Sequence, residues 1–232
     1  MTSTDLTYRL IVFDWDGTLA DSAGMIVGAM QGAIRGLDLP ARDDKVIREL
    51  IGLGLNEALA ALYPELELEA LKRLLEGYRR EWLGGSPGEA PLFAGALDAL
   101  RDLHGAGHRL AIATGKGRRG LDRSLRHHAE LHALVSSSRC ADETQSKPHP
   151  QMLEEILELE GVAAHDALMV GDTEYDMAMA RAIGMPALGV TCGVHEAQRM
   201  RGAGAIALIE NVACLPAWLR DKTLIKQSNI KE

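Results

Sequence analysis

In the segment RLIVFDWDGTLADS, an apolar run at positions 9–13 leads into two aspartates one residue apart, Asp14 and Asp16, followed by Gly17 and Thr18. Residues i and i+2 of an extended segment project to the same side, so both carboxylates can face one pocket. Like charges that close repel, and each raises the other's pKa unless a cation intervenes. A hard cation with oxygen ligands relieves the repulsion, and Mg²⁺ suits a site with few carboxylates and several waters. Three more short stretches carry matching chemistry: Thr114, Gly115 and Lys116 after a second apolar run, Lys147 in SKPHP, and Asp172 and Asp176 in GDTEYD. Carboxylates, a cation, a lysine, a threonine and exposed backbone amides suit a phosphoryl group, whose transfer needs charge stabilisation more than covalent help. In that chemistry Asp14 attacks phosphorus to give an aspartyl-phosphate. Asp16 gives its proton to the leaving alcohol and then activates water.

Such residues must be brought together by the elements around them. Short apolar runs at 9–13, 108–114, 166–172 and 186–191 read as strands buried on both faces, with weaker candidates at 133–137 and 205–209. Helical patterns separate them at 95–105, 118–128, 150–160 and 174–183, and Gly105, Gly107, Gly161 and Gly184 mark the stops. Alternating strand and helix predicts an α/β fold with a parallel sheet and right-handed crossovers. In such a sheet ligands bind at the carboxyl ends of the strands, where Asp14, Thr114 and Asp172 fall. Residues 22–88 break the rhythm with consecutive helical patterns and no strand, and end at the Gly/Pro-rich GGSPGEAP (84–91). The expected organisation is a discontinuous α/β core, 1–21 and 89–220, a helical insertion at 22–88, and a polar tail at 221–232.

Bulk properties narrow the function classes. A chain of 232 residues with 47% hydrophobic and 25% charged residues can bury a sizeable core and is not a disordered protein. Its formal charge of −8 argues against a broad nucleic-acid surface, which clustered Lys and Arg would build. Cys140, Cys192 and Cys214 lie far apart without metal-ligand spacing, so no zinc site is expected. The first residues lack the order of a signal peptide and no run reaches the ~20 apolar residues of a membrane span, so the expectation is a cytoplasmic protein with no membrane partner. Oligomeric state is not readable from the sequence.

The four stretches in order, DWDGTL (14–19), Thr114 after an apolar strand, Lys147 followed by proline, and GDTEYD (171–176), resemble the motifs of the haloacid dehalogenase-like hydrolases, specifically the phosphatase branch with a helical cap. The resemblance spans about residues 9–220 and places 22–88 where that branch inserts its cap. It implies a Rossmann-like core and a small phosphorylated metabolite as substrate, with phosphoglycolate the first candidate. It also implies roles: Asp14 as nucleophile and metal ligand, Asp16 as general acid/base that lends a backbone carbonyl to Mg²⁺, and Asp172 as third protein ligand. Thr114, Gly115 and Lys147 would hold the phosphate, and Asp176 would orient the site from outside the ligand set. Trp15 departs from the smaller aliphatic or Phe more usual there, which puts only its packing in question.

Two further expectations concern selectivity and alternatives. GLGLNE (52–57) reads as a cap loop facing the site, with Leu53, Leu55 and Asn56 setting selectivity, whereas Lys116, Arg118 and Arg119 read as a solvated helix start. A mutase resembling β-phosphoglucomutase is the nearest alternative, but its cap-loop arginine has no counterpart at Leu55 or Asn56. A phospho-receiver domain would be near half this length and would place its acceptor after an inner strand of the chain.

Overall fold

The computed structural model describes residues 6–84 and 88–221. The polar tail after 221 and the middle of the Gly/Pro-rich stretch lie outside them. Six parallel strands form one sheet: β1 (Leu10–Phe13), β2 (Arg109–Thr114), β3 (Val135–Cys140), β4 (Ala167–Gly171), β5 (Ala187–Val190) and β6 (Ala207–Ile209), in the order β3-β2-β1-β4-β5-β6. Helices α5 (Ala96–Gly105), α6 (Arg118–His127), α7 (Ala129–His132), α8 (Gln151–Glu160), α9 (Glu174–Ala182) and α10 (Ala197–Ala203) flank it, giving a Rossmann-type α/β fold.

β1 is central, with Phe13 in register with Ile112 of β2 on one side and Val170 of β4 on the other. All four of its residues are buried, and its period-2 alternation feeds two separate layers. Ile11 and Phe13 pack with Leu100, Leu103 and Leu121 from α5 and α6; Leu10 and Val12 pack with Met152, Ile156 and Met177 from α8 and α9. At about 1.5–3 kcal/mol for each large aliphatic or aromatic side chain buried, these layers hold β1 firmly between its neighbours. β3 begins two residues later than the expected 133–137 and runs through Ser136, Ser137 and Ser138. As an edge strand bonded only to β2 it tolerates a polar face, and this weakened its apolar signal. Gly161 ends α8 in the left-handed conformation, φ 59°, that the stop signal requires.

Between β1 and α5 lie four helices: α1 (Ala23–Gly36), α2 (Asp44–Arg48), α3 (Leu55–Leu62) and α4 (Leu68–Gly84). Their shared core draws on Val27, Met30, Ile34, Ile47, Leu59, Leu62, Tyr63 and Leu74. α1 and α4 approach closely because Gly77 faces Ala33: a Cβ at 77 would stand 3.3 Å from that of Ala33. On α4 the apolar positions 71, 74, 75, 78 and 82 follow the helical period and define one face. Trp15 is fully buried in the core layer of Ile11 and Phe13, which answers the packing question its size raised.

Candidate active site

The turn after β1 is shaped by main-chain bonds around Trp15, whose carbonyl accepts from the amides of Leu19 at 3.0 Å and Ala20 at 2.9 Å. The amide of Asp14 still bonds to Val170 of β4 at 2.9 Å, so the aspartate leaves the sheet from a fixed point. Nζ of Lys147 stands 2.8 Å from Oδ1 of Asp14 and 2.7 Å from Oδ1 of Asp176, and all three residues are at most 1% exposed. No other donor among the described residues reaches either oxygen of Asp14. The loop that delivers Lys147 carries a cis peptide bond to Pro148.

Asp172 and Asp176 follow β4. Thr173 caps α9 in a capping box, accepting from the amide of Asp176 while Oδ2 of Asp176 takes the amide of Thr173 at 3.1 Å and its hydroxyl at 2.6 Å. Both oxygens of Asp176 are therefore occupied, one by Lys147 and one by the cap. Asp172 accepts the hydroxyl of Thr18 at 2.8 Å and the amide of Val194 at 2.9 Å. It lies in a slot that only glycine permits: a Cβ at Gly17, where φ is 85°, would sit 2.3 Å from Oδ2, and one at Gly193 would sit 2.0 Å away.

Carboxylate oxygens of Asp14, Asp172 and Asp176 fall within 4.8 Å of one another around a single lysine. Burial first, and then Asp176 and Asp172, push the Asp14 carboxyl well above the usual range against the pull of Lys147. Burial followed by the charge of Asp176 pushes Asp172 up to about 7, opposed by the Val194 amide, Thr18 and Lys147. Burial alone would lower the ammonium of Lys147, but Asp14 and Asp176 overcome it and hold the group charged. Three buried acids against one base, with Asp14 lacking a hydrogen bond from any other donor among the described residues, leave negative charge that a divalent cation would balance.

Asp16 points elsewhere. Its carboxylate accepts from Ser22 at 2.7 Å and from Nζ of Lys116 at 3.0 and 3.1 Å. Lys116 is thus only 11% exposed in its side chain and is not part of a solvated helix start; its ammonium also lies 4.8 Å from the centre of the Trp82 ring. Arg118 is tied to Glu143, while Arg119 is exposed. Thr114, at the end of β2, accepts from the amide of Lys116 at 3.2 Å. Gly115 lies under the 52–57 loop: a Cβ there would meet the carbonyl oxygens of Leu53 at 2.4 Å and Gly52 at 2.6 Å.

That loop is pinned to the core around Glu49. The carbonyl of Glu49 accepts the hydroxyl of Tyr175 at 3.0 Å and lies 3.1 Å from Nε2 of His195, and its carboxylate pairs with Arg199. Because Nδ1 of His195 accepts from the amide of Glu174 at 3.1 Å, the neutral ring must carry its proton on Nε2 and donate to Glu49. The amide of Gly54 donates to Ser146 at 2.6 Å. Helices α1–α4 and the carboxyl ends of the strands thereby enclose a cavity of about 670 Å³, lined by Asp14, Asp16, Thr114 and Gly115 below and by Leu53, Leu55, Asn56, Tyr78 and Trp82 above.

The site is built from residues of three adjacent strands plus the loop carrying Lys147, in the chain order and spacing of one protein family. The haloacid dehalogenase-like hydrolase family matches residues 11–190. The chain belongs to that family. A Dickeya dadantii protein named "Probable phosphatase IndB" is 33% identical over 207 residues, 87% of this chain and 89% of its own. A phosphoglycolate phosphatase of Mesorhizobium japonicum is 31% identical over 222 residues, 93% of this chain and 96% of its own. A solved haloacid dehalogenase-like family hydrolase of Streptococcus pneumoniae superposes with a TM-score of 0.78 at 25% identity, covering 91% of this hydrolase and 98% of its own chain. Among the described residues of the hydrolase no helix is long and apolar enough to cross a membrane.

Thr18 and Lys116 were read from the sequence without these partners, and Ser22, Tyr78 and Trp82 escaped it. The last two stand four apart on an amphipathic helix, a spacing that reads as ordinary core.

Proposed function

We propose that this hydrolase is a Mg²⁺-dependent phosphatase of small phosphomonoesters, working through an aspartyl-phosphate on Asp14. The observation that carries the reading is the carboxylate of Asp14, buried at the end of the central strand, approached among the described residues only by the donor of Lys147, and lining the cavity beneath the helices. The carboxylate of Asp14 attacks phosphorus as the ester oxygen departs, and Asp16 delivers the proton that makes the leaving group an alcohol. Water then attacks the phosphorus of the acyl-phosphate, Asp16 takes its proton, and Asp14 returns as a carboxylate with inorganic phosphate. Ser22 and Lys116 fix Asp16 for both transfers. Lys147, Thr114 and the amide of Gly115 hold the phosphoryl oxygens.

Asp14, Asp172 and the backbone carbonyl of Asp16 would hold Mg²⁺, with Asp176 orienting Lys147 from outside. When bound, the ion supplies the charge that offsets the clustered carboxylates and the phosphoryl oxygens. Residues 22–88 act as a cap that excludes bulk water, and Leu53, Leu55 and Asn56 contact the leaving group. A cytoplasmic location is part of the same reading.

The test is release of inorganic phosphate from phosphoglycolate and other monoesters with and without EDTA, together with Asp16→Asn enzyme. Loss of turnover in EDTA, recovery in Mg²⁺, and strongly slowed turnover of alkyl monoesters in Asp16→Asn protein are expected, with a smaller loss for p-nitrophenyl phosphate, whose leaving group needs no proton. Transfer of the phosphate to another carbon of the substrate, with no release, would favour the mutase alternative.

A further inference from the structure

We infer that the preferred substrate carries a leaving group far larger than the two-carbon acid of phosphoglycolate: an apolar, ring-sized body next to the ester, with an anionic group beyond it. This rests on the phosphomonoester hydrolysis proposed above and specifies its substrate class. The cavity of about 670 Å³ lies in the range that encloses drug-sized ligands. Ile26, Met30, Leu55, Leu75, Tyr78 and Trp82 give its wall an apolar part. Tyr78 and Trp82 lie near-parallel, ring centres 6.1 Å apart. Nζ of Lys116 stands 3.0 Å from Asp16 and 4.8 Å from the centre of the Trp82 ring, so this wall begins close to the group that would protonate the leaving oxygen. A two-carbon polar acid would leave such a wall facing water, whereas an apolar body of six or more carbons would cover it.

The charges on the same cavity are as specific. Arg79, Arg119 and Arg126 line it, are exposed, and have no carboxylate partner among the described residues. Their neighbours differ: Arg118 pairs with Glu143, Arg123 with Glu89, and Lys116 with Asp16. Glu57, Asp122 and Asp142 also line the cavity, so its charges are mixed, and the three guanidinium groups without a carboxylate partner among the described residues are the discrete donors it offers an anion. All three line the cavity and are exposed, so a group that reaches from the cavity toward solvent can meet them. A carboxylate or second phosphate on the outer end of the leaving group would meet them, and planar forks of this kind suit such anions.

The experiment compares kcat/KM, with Mg²⁺, for ethyl phosphate, phosphoglycolate, 2-phenylethyl phosphate and 2-(4-carboxyphenyl)ethyl phosphate. All four release primary alcohols, so differences report mainly on binding of the rest of the molecule. The phenylethyl ester should exceed ethyl phosphate and phosphoglycolate by about tenfold or more, the scale set by filling an apolar pocket. The carboxylated ester should gain a further few-fold, and Arg119→Ala/Arg126→Ala enzyme should lose that gain while keeping the phenylethyl preference. Phosphoglycolate equal to or better than the phenylethyl ester overturns the apolar body. A carboxylate effect that is absent, or untouched by the double variant, overturns the anionic group. p-Nitrophenyl phosphate separates the two levels: turnover of it with a flat ester series overturns this inference alone, and no turnover of any ester overturns the phosphatase reading with it.

Discussion

The floor and the roof of the cavity are made in opposite ways. On the floor, Asp14, Lys147, Asp172 and Asp176 are at most 1% exposed, and Asp172 and Asp176 have both carboxylate oxygens held. The roof is apolar and only partly buried at Leu53, Leu55 and Trp82, and polar bonds to the main chain at Glu49 and Gly54 help fasten it down. A floor held by strand ends and interlocked charges can fix reacting atoms to within the narrow tolerance chemistry needs. A roof attached through a few hydrogen bonds and the Glu49–Arg199 pair can lift, exchange substrates, and vary its side chains without disturbing the acids.

The largest effect should come from the floor. Asp14→Asn should lower phosphate release by about a thousandfold or more, as loss of a nucleophile does, while thermal melting stays level or rises because a buried like charge has been removed. Activity within tenfold of the parent in folded protein would move the nucleophile elsewhere.

Lys147→Met should be the most damaging to stability. It leaves Asp14 and Asp176 buried without their shared cation, at a cost of about 3–5 kcal/mol. A fall in melting temperature on the order of 10 °C is expected. A change of under about 2 °C would show that the floor does not depend on this ion pair.

A divalent ion sharpens the contrast through pH. The Asp172 carboxyl, pushed up to about 7, keeps its proton in the folded protein where an unfolded aspartate has lost it above about 3.8. In metal-free protein the stability from this site is therefore complete below about 3.8 and is lost as pH rises through 7. Mg²⁺ requires the carboxylate, so the gain in melting temperature from Mg²⁺ over EDTA should be larger at pH 8 than at pH 5. Equal gains at both pH values would place the ion away from Asp172.

The smallest effect belongs to the roof. Tyr175→Phe removes one of the two side chains holding the carbonyl of Glu49, worth about 1 kcal/mol. A KM increased a few-fold with kcat nearly unchanged is expected from steady-state kinetics. A collapse of kcat would mean that the clasp orders the chemistry as well as the roof.

The floor was largely legible in the sequence and the roof was not. Asp14, Thr114 and Asp172 sit at the ends of apolar runs, and strand ends in a parallel sheet converge whatever the side chains, so local pattern was enough. Lys116 was misplaced because its partner Asp16 is 100 residues away and a basic helix start looks the same whether solvated or paired. The Glu49 clasp uses a backbone carbonyl, which every residue possesses and no spacing reveals. Tyr78 and Trp82 share the helical stripe of true core residues such as Leu74, and only the cavity separates the two uses.

The position of β1 between β2 and β4 has a consequence for synthesis. The four-helix segment finds its core within residues 27–74, so its contacts are local and can form early. β1 precedes all of it yet pairs with residues 109–112 and 167–170. At about 5–20 residues per second, Leu10–Phe13 wait on the order of ten to thirty seconds on the ribosome before the second neighbour emerges. For that interval the strand bearing the nucleophile is an unpaired apolar edge, the kind of segment most open to wrong pairing, and folding yield should respond to translation speed between codons 14 and 170 more than to anything within the helices.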